Sequence, residues 1–511
     1  VIWRKGAGVV DVVVVGGGSA GCVLAARLSE DAGRQVVLLE AGPDLAELAD
    51  LPADVVDASE PTLAHDWGYV AEPDGSGRRI ALPRARLIGG CSSTNGCFAL
   101  RGAPEVYDGW AQLGNPGWGF AEVLPFFRRL ESDTDFDDEW HGSDGPIPIR
   151  RHPPAELNAV QEAFIAAARS YGLPYVGDHN RPDAVGVGPT PRNVRDGVRM
   201  STSLTYLAAA RDRPNLAIRG GAMADRVEVR GGAARGVRLV GGEVVAADRV
   251  VLAAGAYASP AILQRSGIGA AGELRALGVD VVADLPGVGE NLIDHPLVAV
   301  DLPARPGTAG PRFEAIATLR SQLAPAAGPD LQLFLAGPFD VSRDVSPAGA
   351  VFGIVAVLVL PFSRGWVRLR SADPEDPPRI DVAHLRQPDD MRRMIEATLV
   401  ARAISRTAPL DGLIEGAELA PGPSVGDDDA NAISASIASR VSTCHHPVGT
   451  CSMGADPGGG AVVDARGRVH GIEQLHVADA AIMPTIPSAN TNLPTIMVAE
   501  RVAAWIAGDG G

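Results

Sequence analysis

A chain of 511 residues, 46% hydrophobic and 21% charged, is long enough to bury a large core and to form more than one domain. Its formal net charge of −17 and pI near 5.1 argue against nucleic acid or anionic membrane as a partner, because an acidic surface repels phosphates. Five cysteines, odd in number and thinly spread, make no disulfide framework and point to the cytoplasm. Lys5 is the only lysine, which reads as a GC-rich, bacterial coding sequence. Gly6, Gly8 and Asp11 break up the segment after Arg4 and Lys5, so no secretory leader is expected.

In chain order, the apolar run Asp11-Val-Val-Val-Val enters a turn with Gly16, Gly18 and Gly21 at the G-x-G-x-x-G spacing, and a helix over Ser19 to Leu28 follows. Gly16 permits the tight turn and Gly18 lets backbone approach a pyrophosphate. Gly21 lets helix and strand pack closely, while Ser19 and Ala20 open the helix with free N–H groups. Val36-Val-Leu-Leu then reads as a second strand ending at Glu40 and Ala41, and the acid is placed to accept from ribose hydroxyls. An acid there disfavours a 2′-phosphate, hence NADP.

Pro83 to Gly96 is rich in glycine, serine and arginine and reads as a loop that hugs a cofactor. The acidic patch Asp133 to Glu139 reads as a solvated excursion. Short strands at Leu216-Ala-Ile, Asp225-Arg-Val-Glu-Val, Gly236-Val-Arg-Leu-Val and Asp248-Arg-Val-Val-Leu are expected to form a meander returning to the first domain. Between 301 and 440, long strands at Val351–Leu360 and Gly365-Trp-Val-Arg-Leu and a helix over Asp389 to Ser405 suit a second domain. The ten-residue run Val351–Leu360 is too short to span a membrane. A last helix is predicted over Asn492 to Ile506, with Pro494 in its first turn and apolar residues at Ile496, Ala499, Val502, Ala503 and Ile506.

Five further motifs are Gly255-Ala-Tyr-Ala-Ser-Pro260 through Gly269, Pro286 through His295, His445-His446-Pro447 through Gly454, Val477-Ala-Asp479 through Pro484, and Ser488 through Thr495. Together they resemble those of the glucose–methanol–choline (GMC) family of FAD-dependent oxidoreductases, over essentially the whole chain. The resemblance implies an α/β fold: a Rossmann-like FAD-binding domain from residues 1–156, 191–300 and 441–511, and a substrate-binding domain on an antiparallel sheet from 157–190 and 301–440. It implies FAD as cofactor. Some members attach the flavin through a histidine at the position of Thr94, so threonine there implies non-covalent FAD. By the same resemblance Arg86, Gly90, Asn95 and Gly96 line the flavin ring. Asp479 and Ala480 bind the ribityl and pyrophosphate part, Ala254, Thr491 and Asn492 join the cofactor site, and Val227 meets adenine through its backbone. The last helix should aim its N-terminus at the flavin pyrimidine, where negative charge builds up on reduction.

The implied chemistry is oxidation of an alcohol to a carbonyl compound by hydride transfer to flavin N5. Imidazole titrates near working pH and suits the base that takes the hydroxyl proton. That base is His446 by motif position; an extended segment before Pro447 would turn His445 the other way. Asn490 resembles the second member of the family's His/Asn pair and would hydrogen-bond the substrate oxygen. Cys444, His445, His446 and Cys451 lie close together in sequence but match no usual zinc spacing, so no metal is expected, and Cys91 and Cys97 read as small fillers near the cofactor. The same scaffold carries hydroxynitrile lyases with a structural FAD, and a flavoprotein that only binds is a third reading. Electrons would pass to oxygen, with a quinone or redox protein as the alternative acceptor.

Overall fold

The structure, a computed structural model, describes residues 9–305, 312–325, 328–346 and 348–508. The valine run Val10–Val15 lies at the centre of a parallel layer, flanked by Val36–Leu39 on one side and Val244–Leu252 on the other. Its unbroken apolar part, Val12 to Val15, is buried throughout and suits a strand covered on both faces. The first helix, Ser19–Leu28, packs across it, and a Cβ added at Gly21 would sit 1.7 Å from the Gly16 carbonyl oxygen, so only glycine permits that approach. Leu475–Val477 extends the layer beside Val244–Leu252.

Leu216–Arg219 departs from the expected meander: it is the edge strand of the parallel layer, beside Val36–Leu39. Asn215 explains the register, because its amide donates to the carbonyls of Ser29, Asp31 and Arg34 on the loop that leads into that neighbour. The meander itself has three strands, Ala224–Arg230, Ala233–Leu239 and Val244–Leu252.

A second sheet of six antiparallel strands runs in the order Ser442–Thr443, Pro296–Pro303, Ala350–Leu358, Leu331–Asp340, Ala315–Leu319, Gly186–Pro189. Side chains alternate between its faces. Val298, Val300 and Leu302 pack with helices Ala159–Tyr171 and Pro388–Ser405, whereas Leu297 and Ala299 join a separate cluster on the other face. Pro296 begins its strand within the range 191–300, and Ser442–Thr443 within 441–511, so this sheet draws on both sides of the expected boundaries. The strand expected from Gly365 shrinks to Trp366–Arg368 and pairs with Arg379–Asp381 in its own hairpin. Pro361 before it, and Pro374, Pro377 and Pro378 inside the hairpin, deny it longer ladders. Among the described residues, no helix is long and apolar enough to cross a membrane.

The acidic patch is only partly a solvated excursion. Asp135, Asp137 and Glu139 are exposed, but Asp133 is buried with Glu131 and Asp178. Three cations return over them. Arg101 pairs with Glu131, Arg151 donates to Asp133 at 2.9 Å and to Asp178 at 2.7 Å, and His141 lies 2.9 Å from Asp178 and 3.1 Å from Asp133. Ligand atoms of Glu131, Asp133 and His141 come within 4.8 Å of one another, a spacing that suits a metal, yet the three cations already balance the three carboxylates.

Burial opposes charge on His141, but hydrogen bonds to Asp133, Asp178 and Glu131 prevail and raise it to about 10. Burial opposes charge on Asp178 as well, and there His141 and Arg151 hold the carboxyl below its ordinary range. The stability that protonated His141 contributes is therefore complete below its ordinary pKa of 6.5 and lost as pH rises through about 10. The apparent melting temperature should fall more steeply between about pH 7 and about pH 10 in the parent than in His141→Gln. Equal slopes in a differential scanning series would contradict the assignment.

Candidate active site

A cavity of about 670 Å³ runs between the two sheets, from the first turn to the C-terminal motifs. Gly16, Gly18, Ser19, Ala20, Glu40, Ala41, Arg86, Gly90, Asn95, Gly96, Ala254, Asp479, Ala480, Thr491 and Asn492 line it together with His446 and Asn490. Two residues named from the sequence do not. Gly21 works behind the wall, in the helix–strand contact described above. Val227 is buried, and its N–H donates to Ser266 Oγ at 2.8 Å; Met223 and Ala224 reach the cavity from that region instead.

The geometry of this wall fits a dinucleotide. Gly90 has φ of +52°, and a Cβ there would come within 2.6 Å of Gly18 Cα, so the two glycine loops meet backbone to backbone. Helix Ser19–Leu28 has no side-chain cap at its N-terminus, leaving its first N–H groups for a phosphate. Glu40 accepts from the N–H of Gly17 at 2.8 Å and of Gly42 at 2.7 Å. Each carboxylate oxygen keeps a lone pair for ribose. Burial raises the Glu40 pKa against these bonds. Asp479, also raised by burial, accepts from Ser259 at 2.6 Å, Gly255 at 2.8 Å and Ala481 at 2.7 Å, so it also organises the turns that form the wall. Trp67, Tyr69 and Tyr257 supply an aromatic side, with the Arg86 guanidinium 4.6 Å from the Trp67 ring centre.

At the other end, residues 443–447 are not extended throughout. His445 has φ of +65°, fixed by its N–H donating to Thr443 Oγ1 at 2.7 Å and by Arg84 donating to its carbonyl at 2.7 Å. The alternation expected of a strand is lost, and both histidines line the cavity. Their partners distinguish them. His446 Nε2 lies 3.3 Å from Asn490 Nδ2, and His446 Nδ1 lies 3.0 Å from His295 Nδ1, the two rings standing edge to face. Asn490 Oδ1 in turn accepts from Gln332 Nε2 at 3.4 Å.

Asp294 holds this corner together. Its carboxylate accepts from the N–H of His446 at 2.8 Å, the N–H of His295 at 2.9 Å and Thr443 Oγ1, with His384 Nε2 at 3.3 Å. Burial opposes its charge, but His384 and Thr443 keep it below the carboxylate range. Burial lowers His295 to about 4, and desolvation lowers His446, half-buried at the cavity wall, well below its ordinary value, with His295 adding to the effect; the His445 side chain is exposed at the cavity. His446 is thus neutral at neutral pH. Asp294, His295 and Gln332 were not singled out from the sequence as site residues: His295 lies 151 positions from His446 and carries no local signal of that contact.

Cys444 and Cys91 line the cavity, whereas Cys451 is fully buried. Cys97, between the lining residues Gly96 and Phe98, is a small buried filler packed with Ala58 and Val194, and Arg199 lies 3.7 Å from its sulfur. The final helix, Asn492–Gly508, begins at the cavity, and Ser19 Oγ donates to Asn492 Oδ1 at 2.8 Å.

Comparison with known proteins agrees with this geometry. The sequence pattern of the family described as GMC oxidoreductase matches residues 10–297 in its N-terminal part and 361–499 in its C-terminal part. The chain is 36% identical to oxygen-dependent choline dehydrogenase of Sinorhizobium medicae, over 98% of this chain and 95% of that one. Among solved structures, pyridoxine 4-oxidase from Mesorbium loti superposes with a TM-score of 0.89 at 35% identity, covering 98% of this chain and 99% of that one. A formate oxidase superposes with a TM-score of 0.89 at 25% identity, covering 99% of each chain. With both family regions matched and such likeness along nearly its full length, this chain belongs to the GMC oxidoreductase family of FAD enzymes.

Proposed function

We propose that the enzyme oxidises an alcohol to a carbonyl compound, with His446 as the general base and Asn490 as the group that orients the substrate oxygen. The observation that carries the proposal is the meeting of His446 and Asn490 at one end of the cavity whose other end fits a dinucleotide. Bound FAD supplies the hydride acceptor at N5. The named relatives are dehydrogenases and oxidases, which favours this chemistry over lyase action on the same scaffold.

The contact between the two imidazoles bears on which nitrogen acts. His295 Nδ1 and His446 Nδ1 face each other at 3.0 Å, so one must donate and the other accept. We assign the proton to His446 Nδ1. That tautomer leaves the His446 Nε2 lone pair facing Asn490 and the cavity. At rest the Asn490 amide donates to it at 3.3 Å, a weak contact that a substrate hydroxyl can displace. As the C–H bond breaks, His446 takes the hydroxyl proton, and Asn490 donates to the oxygen that becomes the carbonyl. His446 then carries positive charge at the cavity wall, where it favours electron transfer to oxygen. Oxygen is accordingly the acceptor we assign, consistent with the oxidases among the relatives.

FAD is bound without a covalent link in this reading, because Thr94, which lines the cavity, has no imidazole to attach it. Acid precipitation should leave the yellow colour in the supernatant; colour that stays with the washed pellet would refute it.

His446→Ala should retain FAD and slow flavin reduction by alcohol roughly 10²–10⁴-fold, the usual contribution of a positioned acid–base group. His445→Ala should do much less, since its partners are backbone contacts that alanine keeps. Anaerobic stopped-flow reduction of the two variants tests the contrast, and a larger loss at His445 would reverse the assignment.

The lowered pKa of His446 also has a sign. The base stays deprotonated at neutral pH, so reduction by alcohol should be independent of pH there, and its acid limb should lie below the ordinary histidine value of 6.5. A limb at or above that value in the pH profile of the reduction rate would contradict it.

A further inference from the structure

The wall facing His446 and Asn490 is almost entirely apolar. On the cavity face of the second sheet, Leu297 and Ala299, Val355 and Val357, and Phe334 and Ala336 lie side by side on three adjacent strands. Phe98 and Phe313 join this cluster at the cavity, and Phe339, which does not line the cavity, stands 5.9 Å from Phe313. Gln332 is the polar exception near the base, and its amide is already engaged with Asn490. Asp301 follows Leu297 and Ala299 on the same face but is bound by Arg440 at 2.7 Å. The cavity's other acids, Glu40, Asp66, Glu375, Asp376 and Asp479, belong to neither this sheet face nor the phenylalanine cluster. Residues 306–311, Pro-Gly-Thr-Ala-Gly-Pro, carry no ionisable side chain.

Three phenylalanines raise the possibility of an aromatic cage for a quaternary ammonium group. Their packing argues against it. Phe98 stands 5.4 Å from Phe334 and 6.3 Å from Phe313, edge to face, and Phe313 lies 6.4 Å from Phe334. Rings this close touch one another and leave no room for a trimethylammonium between their faces. Glu314, which follows Phe313 in the chain, is buried but already engaged by Arg192 and by His152 at 3.4 Å. A cation on this wall would therefore find no free counter-charge, and Arg84 adds positive potential at His446.

From this face we infer that the substrate is an uncharged alcohol with a compact apolar body, and that the site selects against quaternary-ammonium alcohols, although choline dehydrogenases are among the relatives. The inference rests on the alcohol-oxidising reading above. The hydroxyl meets His446 and Asn490, and the body lies against Leu297, Val355 and Phe334.

The test compares choline with 3,3-dimethylbutan-1-ol, its uncharged carbon isostere, and with benzyl alcohol, in anaerobic flavin reduction by the FAD-loaded enzyme. The isostere and benzyl alcohol should each show a second-order rate constant at least about tenfold above that of choline, the effect of leaving a charge unpaired on an apolar wall. Choline matching or exceeding its isostere would overturn the substrate class while leaving alcohol oxidation intact. Failure of all three to bleach the flavin would overturn both. Binding without turnover gives a second readout: toluene should perturb the spectrum of the oxidised flavin at concentrations where tetramethylammonium does not, and the reverse order would refute the inference. Leu297→Glu, which places a carboxylate on the cavity face, should move the choline-to-isostere ratio at least about tenfold toward choline. An unchanged ratio in a folded, FAD-loaded variant would show that this face is not the substrate wall.

Discussion

The packing of the last helix on the first decides where everything else lies. Glu500, fully buried on the last helix, accepts from the Arg27 guanidinium at 2.8 Å and from the Tyr206 hydroxyl at 2.7 Å. An ionised carboxylate is tolerated inside a protein only when such partners meet it, and removing one leaves the other charge stranded. Ser19 and Asn492 add a hydrogen bond across the same contact, 473 residues apart in sequence. The turn that fits phosphates and the segment that carries Asn490 therefore face one cavity. Without this closure the two ends of the site would belong to separate surfaces.

The second sheet completes the site from the other side, and it does so with the alternation of ordinary strands. One face buries Val298, Val300, Leu333 and Ile354 under two helices; the other presents Leu297, Phe334 and Val355 to the cavity. A shift of one residue in any of these strands would exchange the faces. The same strand begins just after His295, so its register sets both the apolar wall and the position of the imidazole against His446. Binding surface and base geometry are thus parts of one structural decision.

Buried charge is handled in two ways. In the group around Glu131 and Arg101, three cations match three carboxylates, none of them in the cavity lining, and the arrangement serves the fold. Around Asp294, a single carboxylate collects backbone N–H groups, a hydroxyl and His384, while desolvation, against the pull of Asp294, lowers the basicity of His295 and His446. The first arrangement neutralises charge; the second holds an uncharged base ready.

The fingerprint turn, its helix Ser19–Leu28 and the strand ending at Glu40 were legible in the sequence because each depends on neighbours within about one βαβ unit of chain. The C-terminal motifs, through the family resemblance, likewise pointed to His446 and Asn490, since their residue types are tied to positions a few residues away. What the sequence by itself determined was therefore the parallel nucleotide layer and the family. Tertiary structure alone decided that Leu216–Arg219 joins the parallel edge, that Asp133 is buried with arginines, that His445 also faces the cavity, and that His295 meets His446. It also decided that the wall opposite the base is hydrocarbon. These outcomes hang on sheet register and on contacts between residues tens to hundreds of positions apart, and local periodicity contains no term for such distances.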